Sequence, residues 1–164
     1  MSISRVQDGK RTWPVNDTDN KASAFDLYYG MPGGILLMAE LAKEDPAGPF
    51  ARAVPESVAG LESLRTTLGK VQIWGSVEGD TVKIPSGLYT GNSGIAWLFL
   101  ELYRITGEQR YLDEARTTIA VLLGKNRLLQ GSGAWDDSTD IVSGAAESAC
   151  LCCARQETCR TRDC

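Results

Sequence analysis

Two stretches of the chain read as copies of one another. "LYYGMPGGILLMAEL" (Leu27 to Leu41) and "LYTGNSGIAWLFLEL" (Leu88 to Leu102) align without a gap at a spacing of 61 residues. Gly30 falls on Gly91, Gly33 on Gly94, Leu37 on Leu98, Glu40 on Glu101 and Leu41 on Leu102. A third copy begins at "DIVSGAA", where Gly144 falls on Gly91 at a spacing of 53, and the match stops at Glu147. A repeat of this period constrains the fold more than composition does, because each unit has to bury its apolar face against its neighbours.

Each copy opens on a glycine-rich turn and continues as a run that is apolar almost all round: Ile35 to Ala39 in the first, Ile95 to Leu100 in the second. A helix of that kind must be buried. The segments that follow are one-faced. Tyr111, Leu112, Ala115, Ile119 and Leu122 recur at helical spacing, and Phe50, Val54, Val58, Leu61, Leu64 and Leu68 do the same after the first copy, with a helix start expected near Pro55. The unit is an inner helix followed by an amphipathic outer helix, an αα-hairpin. The fold class is therefore all-α, built from αα-hairpin repeats that stack into a solenoid or close into a ring. The connector from Val71 to Gly87 carries Gly, Pro, Asp and Ser, and a short β-hairpin is expected around Glu78-Gly79-Asp80.

At 164 residues and 43% hydrophobic content the chain suffices for one globular domain with a sizeable core. Its net charge of −4, with no basic patch, argues against a nucleic-acid or anionic-lipid partner. Residues 1–24 form a polar segment without a leader-like apolar stretch, and no apolar run is long enough to span a bilayer, which points to the cytoplasm. Histidine is absent, which removes the commonest general base and the commonest zinc ligand together.

A G-x-x-G at a helix start admits positive φ, allows close approach of neighbouring segments and leaves N–H groups for an anion, although a structural role is the plainer reading. Gly30, Gly33, Gly91, Gly94 and Gly144 are the structural glycines of these turns. Tyr28 and Tyr89 precede the turns and are candidates to line a central cavity, with core packing as the alternative. Glu40 and Glu101, late on the inner helices, are candidates for paired acid-base carboxylates, against a shared structural role for equivalent positions.

"SGLYTGNSGIAWLFLELYRITGEQRYLDEA", with "LYYGMPGGILLMAELA" before it and "DIVSGAA" after it, resembles the lanthionine synthetase C-like proteins. The resemblance covers most of residues 25–146 and rests on three motif copies with helical pairs between them. It implies an α/α toroid of seven hairpins, of which this chain would hold about three, the last incomplete. The implied activity is zinc-assisted addition of a thiol to a dehydrated Ser or Thr of a peptide, giving a thioether, or a glutathione adduct. A peptide or a glutathione-like thiol is then the implied partner. In that family two cysteines and a histidine in later repeats, in W-C and C-H-G contexts, hold the zinc. This chain has neither context, so no catalytic residue, metal ligand or cofactor is assigned to it. An incomplete ring implies self-association through its open faces.

All five cysteines, Cys150, Cys152, Cys153, Cys159 and Cys164, crowd into residues 147–164. Reading one base back turns Glu147 into Gly where the preceding base is G, followed by Val or Ile, and each cysteine codon then supplies the TG of a Leu, Met or Val codon. The restored string continues a buried helix after S-G-A-A. The tail is thus expected to be an aberrant, frame-disrupted end of the third copy. A zinc site or a disulfide framework remains as the alternative; the spacing C-x-C-C-x5-C-x4-C matches no common zinc finger, and a disulfide framework would be out of place in the cytosol.

Three functions compete on these grounds: a lanthionine synthetase C-like fragment without catalytic activity; an α/α-toroid glycosidase using Glu101 and Asp137; and a helical-repeat module that holds a peptide on its concave face. The motif S-G-L-Y-x-G-x-x-G-I favours the first, since neither alternative requires it.

Overall fold

The structure, a computed structural model, describes residues 4–13, 24–68, 71–78 and 81–128. It is predominantly helical. An N-terminal β-hairpin (β1, Arg5–Gln7; β2, Lys10–Thr12) precedes two helices, α1 (Met31–Glu44) and α2 (Pro49–Glu62). Two further antiparallel hairpins follow, β3 (Thr66–Leu68) with β4 (Val71–Ile73), and β5 (Ser76–Glu78) with β6 (Thr81–Lys83). Helices α3 (Asn92–Thr106) and α4 (Gln109–Leu128) complete the described chain.

Helix α1 packs on α2, α3 on α4, and α1 on α3, so two helical hairpins stand side by side through their first helices. The core runs across both: Met31, Ile35 and Ala39 of α1, Val54, Val58 and Leu61 of α2, Ile95, Leu98, Phe99 and Leu102 of α3, and Tyr111 and Ala115 of α4 form one cluster around Trp74. The Phe99 ring lies between Trp74 and Tyr111, with centroids 5.9 and 6.2 Å away. The spacing of 61 residues carries through the second helices as well. It pairs Val54 with Ala115, Val58 with Ile119 and Leu61 with Leu122, and all six are buried.

The contrast between inner and outer helices is clear in the second hairpin. Between Ile95 and Leu102 only Trp97 is exposed, whereas Asp113, Arg116, Thr117 and Ala120 of α4 face solvent. The expectation of a helix buried all round fails for α1: Leu37 and Leu41 are exposed, because that face of the helix is turned to solvent.

Two further expectations are corrected in the first hairpin. Helix α2 starts at Pro49, not near Pro55: Gly48 is its N-cap, and a proline in the first turn forfeits no helical hydrogen bond. Pro55 lies inside the helix on an exposed face. Leu68 continues the apolar spacing of α2 in sequence but belongs to β3, because the chain leaves the helix at Ser63. There the Ser63 N–H returns to the carbonyls of Ala59 and Gly60, and Leu64 N–H to that of Leu61. The β-hairpin expected at Glu78-Gly79-Asp80 is present as β5–β6.

The polar N-terminal segment also contributes to packing. Arg11 pairs with Glu56 of α2 at 2.8 Å. Gly34 lies directly under the Trp13 ring, where a Cβ would come within 2.6 Å of Cζ2. Among the described residues no helix is long and apolar enough to cross a membrane.

Candidate functional site

The two glycine turns close in the same way. The Met31 N–H donates to the Ala24 carbonyl at 3.0 Å, and the Asn92 N–H donates to the Pro85 carbonyl at 2.9 Å. Ala24 and Pro85 are themselves 61 residues apart, so the turn-to-helix junction is a structural repeat as well as a sequence one. The junctions are joined to each other by a hydrogen bond from Tyr28 N–H to the Tyr89 carbonyl at 3.2 Å.

The glycines act through space rather than handedness. Gly30 and Gly91 are the N-caps of α1 and α3 with φ of −98° and −149°, which any residue adopts. Positive φ among the described glycines is confined to Gly9 and Gly107. A Cβ at Gly91 would lie 2.7 Å from the Pro85 carbonyl, and one at Gly33 would lie 2.6 Å from the Leu27 carbonyl. At Gly94 a Cβ would meet the Leu88 carbonyl and, 2.8 Å away, Cδ1 of Leu27 from the other hairpin. Nor does the start of α3 offer its amides to an anion. The N–H groups of Asn92, Ser93 and Gly94 donate to Pro85, Ser86 and Gly91. In α1 the Met31 N–H is likewise taken, and Pro32 has none.

Tyr28 and Tyr89 are exposed, which removes the core-packing alternative. With Tyr29, whose ring meets Tyr28 edge-on at 4.4 Å, they make an aromatic surface beside the N-terminal ends of α1 and α3. Asp26 orders this surface, its Oδ1 accepting from the N–H groups of Tyr28 and Tyr29.

Glu40 and Glu101 are brought together by a residue that the repeat pattern did not single out. Arg104 bonds Glu101 at 2.7 Å and reaches Glu40 of the neighbouring hairpin at 3.5 Å, while Glu40 also holds Lys43. The hydrogen bond to Glu101, then its charge and that of Glu40, hold the Arg104 guanidinium above its ordinary pKa. Glu40 and Glu101 line neither described cleft, and a cation shared between the exposed Glu40 and the half-buried Glu101 is a clamp between repeats. The structural role is the one they fill.

Sequence reasoning gave no sign of a second feature, a cleft of about 280 Å³ bounded by Arg65, Trp74, Asn92 and Glu114 among others. The Arg65 guanidinium lies 4.3 Å over the Trp74 ring and bonds Glu114 at 2.7 Å. Its buried Nε has no hydrogen-bond partner. Asn92 holds the cleft's wall to α3 by donating from Nδ2 to the carbonyls of Trp74 and Pro85 at 2.7 and 2.9 Å. Such side-chain-to-backbone bonds leave no periodic trace in a sequence.

Gly144, Asp137 and the five cysteines from Cys150 to Cys164 lie outside the described residues. Among the described residues no three potential ligands converge on a point that would hold a metal ion. No family model, curated protein or solved structure matches the chain.

Proposed function

We propose that the chain is a lanthionine synthetase C-like unit, the first hairpins of an α/α toroid, which binds peptide without catalysing thioether formation. The observation that carries this reading is the pair of matched turn-to-helix junctions. The motif that prompts the resemblance is the element that repeats in space, with Gly30 and Gly91 capping adjacent first helices and Tyr28 bonded to Tyr89. The exposed rings of Tyr28, Tyr29 and Tyr89 are the surface for a peptide, since tyrosine offers large contact area at low conformational cost.

The family's chemistry depends on zinc, which lowers a thiol's pKa and delivers the thiolate to an electrophilic alkene. The residues described here do not fit that site: the chain has no histidine, and no ligand triad converges among them. The glycosidase alternative has no such support, because Glu101 is engaged by Arg104 and lines neither described cleft.

The test combines binding and turnover. Purified chain is incubated with zinc, a thiol and a dehydroalanine peptide while adduct mass is followed, and peptide binding is titrated by tyrosine fluorescence. The expected result is background adduct formation, with binding that weakens about tenfold when Tyr28 and Tyr89 are both changed to alanine, in line with the loss of aromatic contacts. A zinc-dependent rate abolished by replacing the cysteines from Cys150 to Cys164 would overturn the inactive reading. Absence of peptide binding would overturn the binding one.

A further inference from the structure

We propose that the cleft between β4 and α4 binds an alkylguanidinium group, the chemistry of an arginine side chain. The repeat shows why a cleft stands there. Its spacing of 61 residues extends to the β-hairpins: β1–β2 and β3–β4 keep one register, Arg5 opposite Thr12 and Thr66 opposite Ile73, and Trp13 falls on Trp74. In the first unit β2 packs on α2, because Gly60 has no Cβ to meet the Arg11 carbonyl. The counterpart of Gly60 on α4 is Val121, and there β4 does not close on the helix; the cleft of about 280 Å³ lies between them.

In the first unit this place is taken by the guanidinium of Arg11, whose Nε and Nη2 donate to Glu56 Oε2 at 3.1 and 2.8 Å and whose Nη1 donates to Ser4 Oγ at 2.9 Å. The counterparts of Arg11 and Glu56 are Gln72 and Thr117, each a shorter side chain, and both line the cleft. Arg65, the counterpart of Ser4, does not take over the position. Its guanidinium is held over Trp74 and on Glu114, one helical turn before Thr117. The polar wall that remains accepts hydrogen bonds. Asn92, 1% exposed, spends its Nδ2 hydrogens on the carbonyls of Trp74 and Pro85 and is left with Oδ1. Thr117 and Thr118 donate their hydroxyl protons to the carbonyls of Asp113 and Glu114, which leaves their lone pairs. The charges favour a cation as well, since Arg65 stands between two carboxylates, Glu114 at 2.7 Å and Glu62 at 3.6 Å, and the cluster is negative by one. The unpartnered Nε of Arg65 is buried, so it does not turn the wall into an anion site. A planar, weakly hydrated cation with several N–H donors suits such acceptors, and Ile73 and Val121 line the cleft for its carbon stem. This site is separate from the tyrosine surface and requires no activity of the chain.

Proton–nitrogen NMR spectra of the full chain titrated with methylguanidinium test it, read at the Asn92 side-chain amide and the Trp74 indole N–H. Both resonances are expected to shift saturably with a Kd of about 1–10 mM, the range open to so small a ligand. Methylammonium should bind at least about threefold more weakly, because it lacks the planar fork of donors, and acetate should not bind. Glu114→Gln should weaken methylguanidinium by about tenfold through loss of a charge-assisted bond. Thr117→Arg, at an exposed position, should abolish binding by placing a guanidinium of the chain's own at the cleft, and melting curves check that both variants fold. The peptide acetyl-Ala-Arg-Ala-amide then separates the sources: tighter binding than methylguanidinium assigns the site to an arginine of a polypeptide, weaker binding to a free small guanidine, and either bears out the site. Shifts that do not saturate, acetate binding as well as methylguanidinium, or a folded Thr117→Arg chain that still binds would overturn the proposal.

Discussion

The two helical hairpins share their turns, their glycines and the apolar positions of both helices, but they do not share their surroundings. Leu98 of the second is fully buried and Leu37 of the first is 62% exposed. Phe50 of the first is 44% exposed, while Tyr111, at the same place in the repeat, is only 2% exposed. The difference teaches that in a repeat fold burial belongs to the neighbour rather than to the residue. The second hairpin has the first beside it, together with the connector that carries Trp74, and identical chemistry then has a different energetic weight.

Truncation of the paired leucines should separate the two hairpins most widely. Leu98→Ala is expected to cost about 2–5 kcal/mol of unfolding free energy, the range for a buried leucine. Leu37→Ala should stay within about 0.5 kcal/mol at low protein concentration, as surface substitutions do. Urea unfolding at a concentration where the chain is monomeric separates the two, and equal losses would dissolve the distinction.

The glycines sharpen it further. Gly94→Ala and Gly33→Ala each press a methyl on a backbone carbonyl, which for overpacking costs about 1–3 kcal/mol. Only at Gly94 does the methyl also meet Leu27 of the other hairpin. Leu27→Ala should therefore recover part of the loss in Gly94→Ala, by a coupling of about 1 kcal/mol, and none of it in Gly33→Ala. Absence of coupling at Gly94 would show that Leu27 does not join the hairpins.

The smallest effect lies in pH dependence. Burial pushes the Tyr111 phenol up, with the charge of Arg110 and its hydrogen bond to the hydroxyl opposing. The unfolded phenol ionises near pH 10, so the folded state's preference for the neutral ring is fully present below that pH. It is lost as pH rises from there through the folded value. Tyr111→Phe is expected to flatten the alkaline fall in stability above about pH 10, whereas a substitution at Phe50 leaves it unchanged.

The pairing of the helices was legible in the sequence, and the two apolar patterns mark α3 as the enclosed helix and α4 as the one-faced one; the same reading fails for α1, whose Leu37 and Leu41 are exposed. The β5–β6 hairpin was legible for a similar reason, since Gly79 and Asp80 interrupt an alternating stretch. The end of α2 was not. Leu61, Leu64 and Leu68 keep helical spacing across a point where Ser63 closes the helix by backbone bonds. Tyr28 and Tyr89 were visible as candidates, but their exposure depends on what stands beside each hairpin. Arg104, Asn92 and the Arg65–Trp74 pair act through contacts across separate segments, and no local pattern announces them.

The hairpins are two copies of one turn-to-helix unit, each closed by an amide at the first helical residue. Amide hydrogen exchange at Met31 and Asn92 tests it most directly. First-turn amides of a helix have no intrahelical partner and ordinarily exchange fast. Here both donate to carbonyls of the preceding turn, Ala24 and Pro85, and both should be slowed by about tenfold or more relative to an unstructured peptide. Exchange of either amide at the free-peptide rate, in a chain whose helices are otherwise protected, would contradict the claim that the two junctions are the same structure.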